Sequence, residues 1–306
     1  MRLFLCVCIL AGASASAQSG PVFDVASVRQ SKSDAPQHTN VPLDAGNVYG
    51  AVDADDGRTA AGGYLFATHQ PLWRYISFAY KLSGTQELSL RFNMFSGAPK
   101  SGAPFWVTGS FDSAPDFFDI SARAAEDTPI DQMRLMMQAL LAERFHLVTH
   151  YISADAPVFA LVLAKPSITG PNLQPHPPSD GCVGSASATV GDLPPACGVI
   201  AHVPSSAPGQ HYGGRGVPLS LFATSIPTMT GIAAMPRPVV DQTGLDGLYD
   251  FTLTWLHEAS AQDSAVVDNA GNFRDALRKQ LGLELKSTRA PIRFLLIDHV
   301  ERPSEN

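Results

Sequence analysis

The chain has 306 residues, with 21 basic against 28 acidic side chains and a formal charge of −7. That balance excludes the basic surface needed to displace phosphate counterions, so a nucleic-acid binder is not expected. With 45% apolar and 16% charged residues the chain forms a core and is not a disordered tail, and its length suits about two domains or one large one.

The chain opens as an export signal. Met1-Arg2 gives a positive start, Leu3 to Gly12 an apolar run, and Ala13-Ser14-Ala15-Ser16-Ala17 the small residues that a signal peptidase accommodates. Residues 1–17 are therefore expected to be removed, leaving Gln18 as the new N-terminus and taking the charge from −7 to −8 with the loss of Arg2. The apolar run is about half of the ~20 residues that span a bilayer, and no later stretch reaches that length. The expected location is thus periplasmic or extracellular, with no transmembrane segment after cleavage.

Residues 18–165 read as an N-terminal α+β half. Phe23-Asp24-Val25-Ala26-Ser27-Val28 alternates as a half-buried strand, and Tyr64 to Thr68 reads as another. Pro71 stands at a tolerated first helical position, and Leu72, Tyr75, Ile76 and Ala79 give one helical face to about Leu82. Phe118-Asp119-Ile120-Ser121-Ala122 alternates again. Thr128-Pro129-Ile130-Asp131 then predicts a capped helix start, with Met133, Met136, Met137, Leu140 and Leu141 on its buried face. Strands are expected at His146 to Tyr151 and Val158 to Ala164, joined by a turn through Asp155-Ala156-Pro157.

Residues 166–216 are rich in proline, with glycines at Gly209, Gly213, Gly214 and Gly216. They are expected to be a connector or surface loop unable to propagate a helix or a central strand. Cys6 and Cys8 leave with the signal, so Cys182 and Cys197, both in this segment, are the only cysteines of the exported chain. Two thiols with fourteen residues between them in an oxidising compartment are expected to form one disulfide, worth roughly 3 kcal/mol by loop-closure entropy. A redox or metal role lacks a CxxC spacing or nearby ligands.

Residues 217–306 repeat the plan. Pro218-Leu219 opens a helix as Pro71-Leu72 does, Tyr249-Asp250-Phe251 matches Phe118-Asp119-Ile120, and a helix from about Asn272 to Leu281 precedes strands at Leu283 to Ser287 and Ile292 to Val300. Arg289-Ala290-Pro291 echoes Asp155-Ala156-Pro157. The expected fold class is α+β: two similar halves, each with a strand–helix–strand–strand kernel, separated by the disulfide-pinned loop.

Familiar catalytic motifs are missing: the sequence has no GxSxG, SxxK or HExxH. Asp53-Ala54-Asp55-Asp56-Gly57 is one residue short of a calcium loop and has Tyr64 where the bidentate glutamate belongs, so it reads as a solvated turn. His146 and His150 have a chelating helical spacing but fall where helix gives way to strand, with no third ligand evident. Gly209 to Gly216 reads as a hinge and not a phosphate cradle. Asp241-Gln242-Thr243-Gly244 resembles half of an aspartic-protease pair without its partner, and so reads as a polar turn. No catalytic, metal or cofactor-binding residue is assigned, and no cofactor is expected.

Several stretches together resemble a known family. They are Phe23 to Arg29 (FDVASVR), Met136 to Phe145 (MMQALLAERF), Pro238 to Phe251 (PVVDQTGLDGLYDF) and Ile297 to Ser304 (IDHVERPS). The chain is similar to the uncharacterised exported family called domain of unknown function 3738, many of whose paralogues occur in soil Acidobacteria. The resemblance implies export and a shared fold but brings no catalytic residue or ligand. Relatives joined to BlaR-type membrane metallopeptidases imply a sensor or interaction role. The repeated units are also similar, at fold level alone, to the small periplasmic domains of secretins and TonB-dependent receptors.

The expected function is a non-catalytic module binding a protein or envelope ligand. The alternative is a secreted hydrolase whose site meets only in the fold, with His69, His146, His150 and His211 as its candidate bases. Free-thiol titration of the folded, unreduced mature protein should find no reactive thiol, and two thiols per chain would remove the disulfide.

Overall fold

The computed structural model describes residues 20–303 except 33–34, 41–42, 44–47, 50–62, 93–98, 111, 179–192, 195–196, 204, 207–208, 232–234 and 257–271. The signal segment, Asp53 to Gly57 and Cys182 lie outside the described residues, so the pairing of Cys182 with Cys197 does too. Helices and strands mix along the chain as an α+β fold requires.

The first sheet has the order β1-β5-β4-β2, formed by β1 (Val25–Gln30), β2 (His38–Thr39), β4 (Tyr64–Pro71) and β5 (Phe117–Arg123). All its neighbours are antiparallel. The alternation in β5 buries Phe118, Ile120 and Ala122 on one face. Helices α1 (Leu72–Tyr80) and α4 (Ile130–Phe145) supply the matching apolar stripe, with Leu72, Tyr75, Ile76, Met133, Met137 and Leu141 in one core. The methionine face of α4 is therefore core packing. Thr128 does not cap α4: its hydroxyl donates to the Ala125 carbonyl at 2.7 Å, and Pro129 holds the N-cap position in an extended conformation.

The second sheet has the order β3-β8-β9-β11-β7, from β3 (Val48–Tyr49), β7 (Leu173–Pro175), β8 (Val199–His202), β9 (Gln210–Val217) and β11 (Tyr249–Trp255). Helix α5 (Leu219–Thr230) and a last helical segment α6 (residues 272–281, π-helical over Leu277–Leu281) share its core. Phe222, Phe251, Phe273 and Leu277 are fully or almost fully buried there.

β7, β8 and all but the last residue of β9 lie in 166–216, and β9 is a central strand, so the expectation of a segment barred from central strands is corrected. Glycine here makes room: a Cβ on Gly214 would lie 2.2 Å from Cε1 of Phe251. The absent side chain lets that ring lie against the β9 backbone. The same strand replaces the hinge expected at Gly209 to Gly216.

A third assembly links the two cores. The long strands β6 (Val148–Leu163) and β12 (Leu283–His299) pair antiparallel over nearly their whole length, and β10 (Val239–Asp241) adds in parallel beside Phe159 to Leu161. Leu295 and Ile297 at one end pack in the first core, whereas Leu161 and Leu283 at the other pack in the second.

The turn expected at Asp155-Ala156-Pro157 is therefore corrected, because both it and Arg289-Ala290-Pro291 lie inside continuous strands. Phe159 N–H donates outward to Pro238 O at 2.8 Å and Ile297 N–H outward to Ser101 O at 2.7 Å. Alternation places positions 157 and 291 in the same outward-facing register, so neither proline removes a rung of the ladder. Ala156 pairs with Ala290 at the middle of the ribbon. Arg289 donates to Asp155 Oδ2 at 2.6 Å and to its carbonyl at 2.7 Å.

One backbone device occurs in both sheets. His69 (φ 52°) and Gly216 (φ 59°) sit where β4 and β9 lead into α1 and α5. The His69 N–H donates to Asp119 Oδ1 at 2.8 Å and the Gly216 N–H to Asp250 Oδ1 at 2.7 Å. Each pair of strands breaks register nearby, which frees a backbone N–H that the aspartate then satisfies. Ser31 and His176, just past β1 and β7, donate N–H groups at 2.8 Å to Phe117 O and Leu248 O.

Asp250 also pairs with the almost fully buried His176 ring, Nδ1 lying 2.7 Å from Oδ1. Asp250→Ala should cost about 1–3 kcal/mol, because a buried donor loses its acceptor. Asp250→Asn, which keeps an oxygen for the Gly216 N–H, should cost less; urea unfolding of the two variants checks the order.

Candidate functional site

Among the described residues, one concavity lies against the first sheet. A cleft of about 500 Å³ is lined by Gln37, Pro71, Trp73 of α1, Arg91 and Phe92, and residues from Thr108 to Phe117. Helix α2 (Gly84–Phe92) brings Arg91 in its last turn, where a cation suits the helix dipole. Helix α3 (Phe105–Thr108) leads into the wall of the cleft.

Each wall is held from behind. Tyr75 of α1 is fully buried, and its hydroxyl donates to Phe118 O at 2.9 Å and lies 3.4 Å from Ala67 O, fixing α1 and hence Trp73 on the sheet. The wall after α3 turns tightly, with Ser110 N–H on Ser113 O at 2.8 Å. Arg302 clamps it, donating to Asp116 Oδ2 at 2.7 Å while its guanidinium lies 5.0 Å from the Trp106 ring centre.

At the cleft floor the Arg91 guanidinium lies 3.8 Å from the centre of the Trp73 ring and 4.5 Å from that of Phe92. Glu87, one turn earlier, approaches Nη1 at 3.5 Å. Burial pulls the Arg91 guanidinium below its ordinary value; the Glu87 charge opposes this and the Arg74 charge adds to it.

Next to the cleft, the His69 ring stacks on Phe117 at 4.1 Å with the two planes nearly parallel, and its Nδ1 lies 3.1 Å from Ser31 Oγ. A serine, a histidine and Asp119 thus gather at one place. The carboxylate, however, accepts the main-chain N–H of His69 and not its ring, so the relay that would orient an imidazole as a base is not wired in this arrangement.

The other candidate histidines are dispersed. His146 faces Glu301 at 3.3 Å and His150 faces Asp298 at 2.8 Å, so the two go to different carboxylates. His211 Nδ1 lies 3.1 Å from the Thr254 hydroxyl. Among the described residues, no group of three His, Cys, Asp or Glu side chains is placed to hold a metal ion. Asp241 accepts the N–H and hydroxyl of Thr243 at 2.9 and 2.8 Å, the polar turn its sequence suggested.

Sequence reading passed over Trp73, Arg91 and the loop from Thr108 to Phe117. The only local trace is the i, i+4 spacing of Glu87 and Arg91, common on any solvated helix.

The fold and cleft define an α+β protein with two cores, bridged by a β-ribbon, and a cation-based pocket on one of them. The chain belongs to the family described as "Protein of unknown function (DUF3738)", whose profile matches residues 74–300 and so includes Arg91 and the loop facing it. No curated protein and no solved structure matches the chain. Among the described residues no helix is long and apolar enough to cross a membrane.

Burial raises the Tyr75 phenol far above its ordinary value, and the Asp119 charge adds to the rise. The stability linked to the neutral phenol is complete below the unfolded value of about 10 and is lost as pH climbs from there toward the folded value. Tyr75→Phe should flatten the alkaline loss of stability and cost about 1 kcal/mol near neutrality, as read by urea unfolding across the alkaline range.

Proposed function

We propose that this is an exported, non-catalytic binding module of the cell envelope, in the periplasm or the medium, with the Arg91 cleft as its ligand site. The observation that carries the reading is the cleft itself: a guanidinium over an indole, with serine hydroxyls beside it and no histidine in the described lining, suits recognition of a molecule. Export is supported by the Met1 to Ala17 pattern, and a Cys182–Cys197 disulfide by the oxidising compartment that export implies.

The two halves are read as an internal duplication, with the second half, expected at 217–306, extended back to include β7, β8 and β9. Three features support this: the paired devices at His69 and Gly216, the matching order of β2-β4-β5-β1 and β8-β9-β11-β7, and the Ala156–Ala290 pair at the ribbon centre. An antiparallel pairing of equivalent strands is what a two-fold relation between the halves requires.

The second reading, a hydrolase, is favoured by the 3.1 Å approach of Ser31 to His69. A thermal-shift screen of the mature, oxidised protein against glycans, peptides, organic acids and cell-wall fragments separates the two. Selective stabilisation without consumption of the ligand is expected, since a species bound by the native state alone raises the melting point. Saturable turnover of any of these compounds, lost in Ser31→Ala, would establish the hydrolase instead.

A further inference from the structure

Two cations meet at the Trp73 ring. Arg91 lies on its ring, and the Arg74 guanidinium lies 5.9 Å from the same ring centre. Arg74 donates to the neutral amide oxygen of Gln70 at 2.9 Å, and Glu87 approaches Arg91 at 3.5 Å. The Arg91 Nε is buried and has no hydrogen-bond partner. A guanidinium lying over an indole keeps N–H donors that match a carboxylate.

The rest of the cleft limits what that carboxylate is attached to. Pro71, Pro115 and Phe117 give apolar lining, and Gln37, Ser110 and Ser113 give neutral polar groups. Asp112 on the lining disfavours a ligand of higher negative charge, such as a phosphate dianion. A volume of about 500 Å³ suits a small molecule and not a protein surface.

We infer that the cleft binds a small organic acid, with its single carboxylate on Arg91 and a planar or ring-shaped body against Phe117, Pro71 and Pro115. The inference rests on the binding-module reading and narrows its ligand class.

Hippurate is a suitable probe because it joins one carboxylate to one planar ring, and hippuramide is its neutral counterpart. Titration calorimetry on the mature, oxidised protein should show saturable hippurate binding with a dissociation constant at or below about 1 mM. Hippuramide should bind at least about tenfold more weakly, the loss of one charge-assisted interaction, and phenyl phosphate about two- to threefold more weakly through the added charge facing Asp112. Arg91→Lys, which keeps the charge but loses the fork, should weaken hippurate about tenfold or more. Asp112→Asn, on an exposed turn, should tighten it about two- to threefold by removing a like charge, and Arg278→Lys, on distant α6, should leave it unchanged.

Equal affinity for hippurate and hippuramide, an Arg91→Lys or Asp112→Asn protein that binds as wild type does, or no hippurate binding up to about 10 mM would each overturn the assignment. A different ligand from the thermal-shift screen, bound with Arg91 irrelevant, would leave the binding-module reading standing and this one refuted. Turnover of a compound away from Arg91 would do the reverse.

Discussion

The pairing of β6 with β12 joins residues more than a hundred positions apart and carries side chains into both cores. The two described cores are arranged around that ribbon. The first sheet with α1 and α4 packs at one end, and the second sheet with α5 and α6 at the other. Helix α2 runs between them: Gly84 lies so close to Thr228 of α5 that a Cβ there would meet its hydroxyl at 2.2 Å, and the Gln86 side chain donates to Arg293 O of β12 at 3.0 Å. Arg91, at the other end of α2, thus owes its place over Trp73 to the ribbon and to the second half as much as to its own helix. The cleft is a property of the assembled chain.

The two aspartates under the strand-to-helix bends show how one local solution serves different surroundings. Each satisfies a backbone N–H that a break in strand register would leave without a partner. Beside Asp250 the neighbouring ring is His176, almost fully buried with Nδ1 2.7 Å from the carboxylate; beside Asp119 the residue with positive φ is itself a histidine, its ring turned to Phe117 and Ser31. A non-glycine residue in the left-handed region is strained by about 1–3 kcal/mol. In the second half Gly216 meets the same geometry without that strain.

The helices and the strands on sheet faces were legible from sequence because burial there follows a period. Leu72, Tyr75, Ile76 and Ala79 repeat as a helix stripe and Phe118, Ile120 and Ala122 as a strand face, and all are buried. The ribbon was misread because proline is a turn signal only when its missing N–H would have been used. At Pro157 and Pro291 the amide would point away from the partner strand, a fact that depends on register and not on composition. In β9 the glycines suggested a loop, yet they leave the space that Phe251 takes up. The cleft left almost no trace, since Trp73, Arg91 and Phe117 come from three separate elements and none has a period or spacing that links it to the others.

Taken alone, the order of residues determined the α+β class, the helix stripes, the apolar faces of the central strands and the recurrence of short motifs in two parts of the chain. These are set by local periodicity and by which side chains leave water. Tertiary structure alone decided that β6 and β12 run through their prolines as one ribbon, that a glycine-rich segment is a central strand, and that a cation and an indole from different helices share a pocket. Each of these depends on strand register or on the approach of distant elements, and such long-range packing has no counterpart in neighbouring residues.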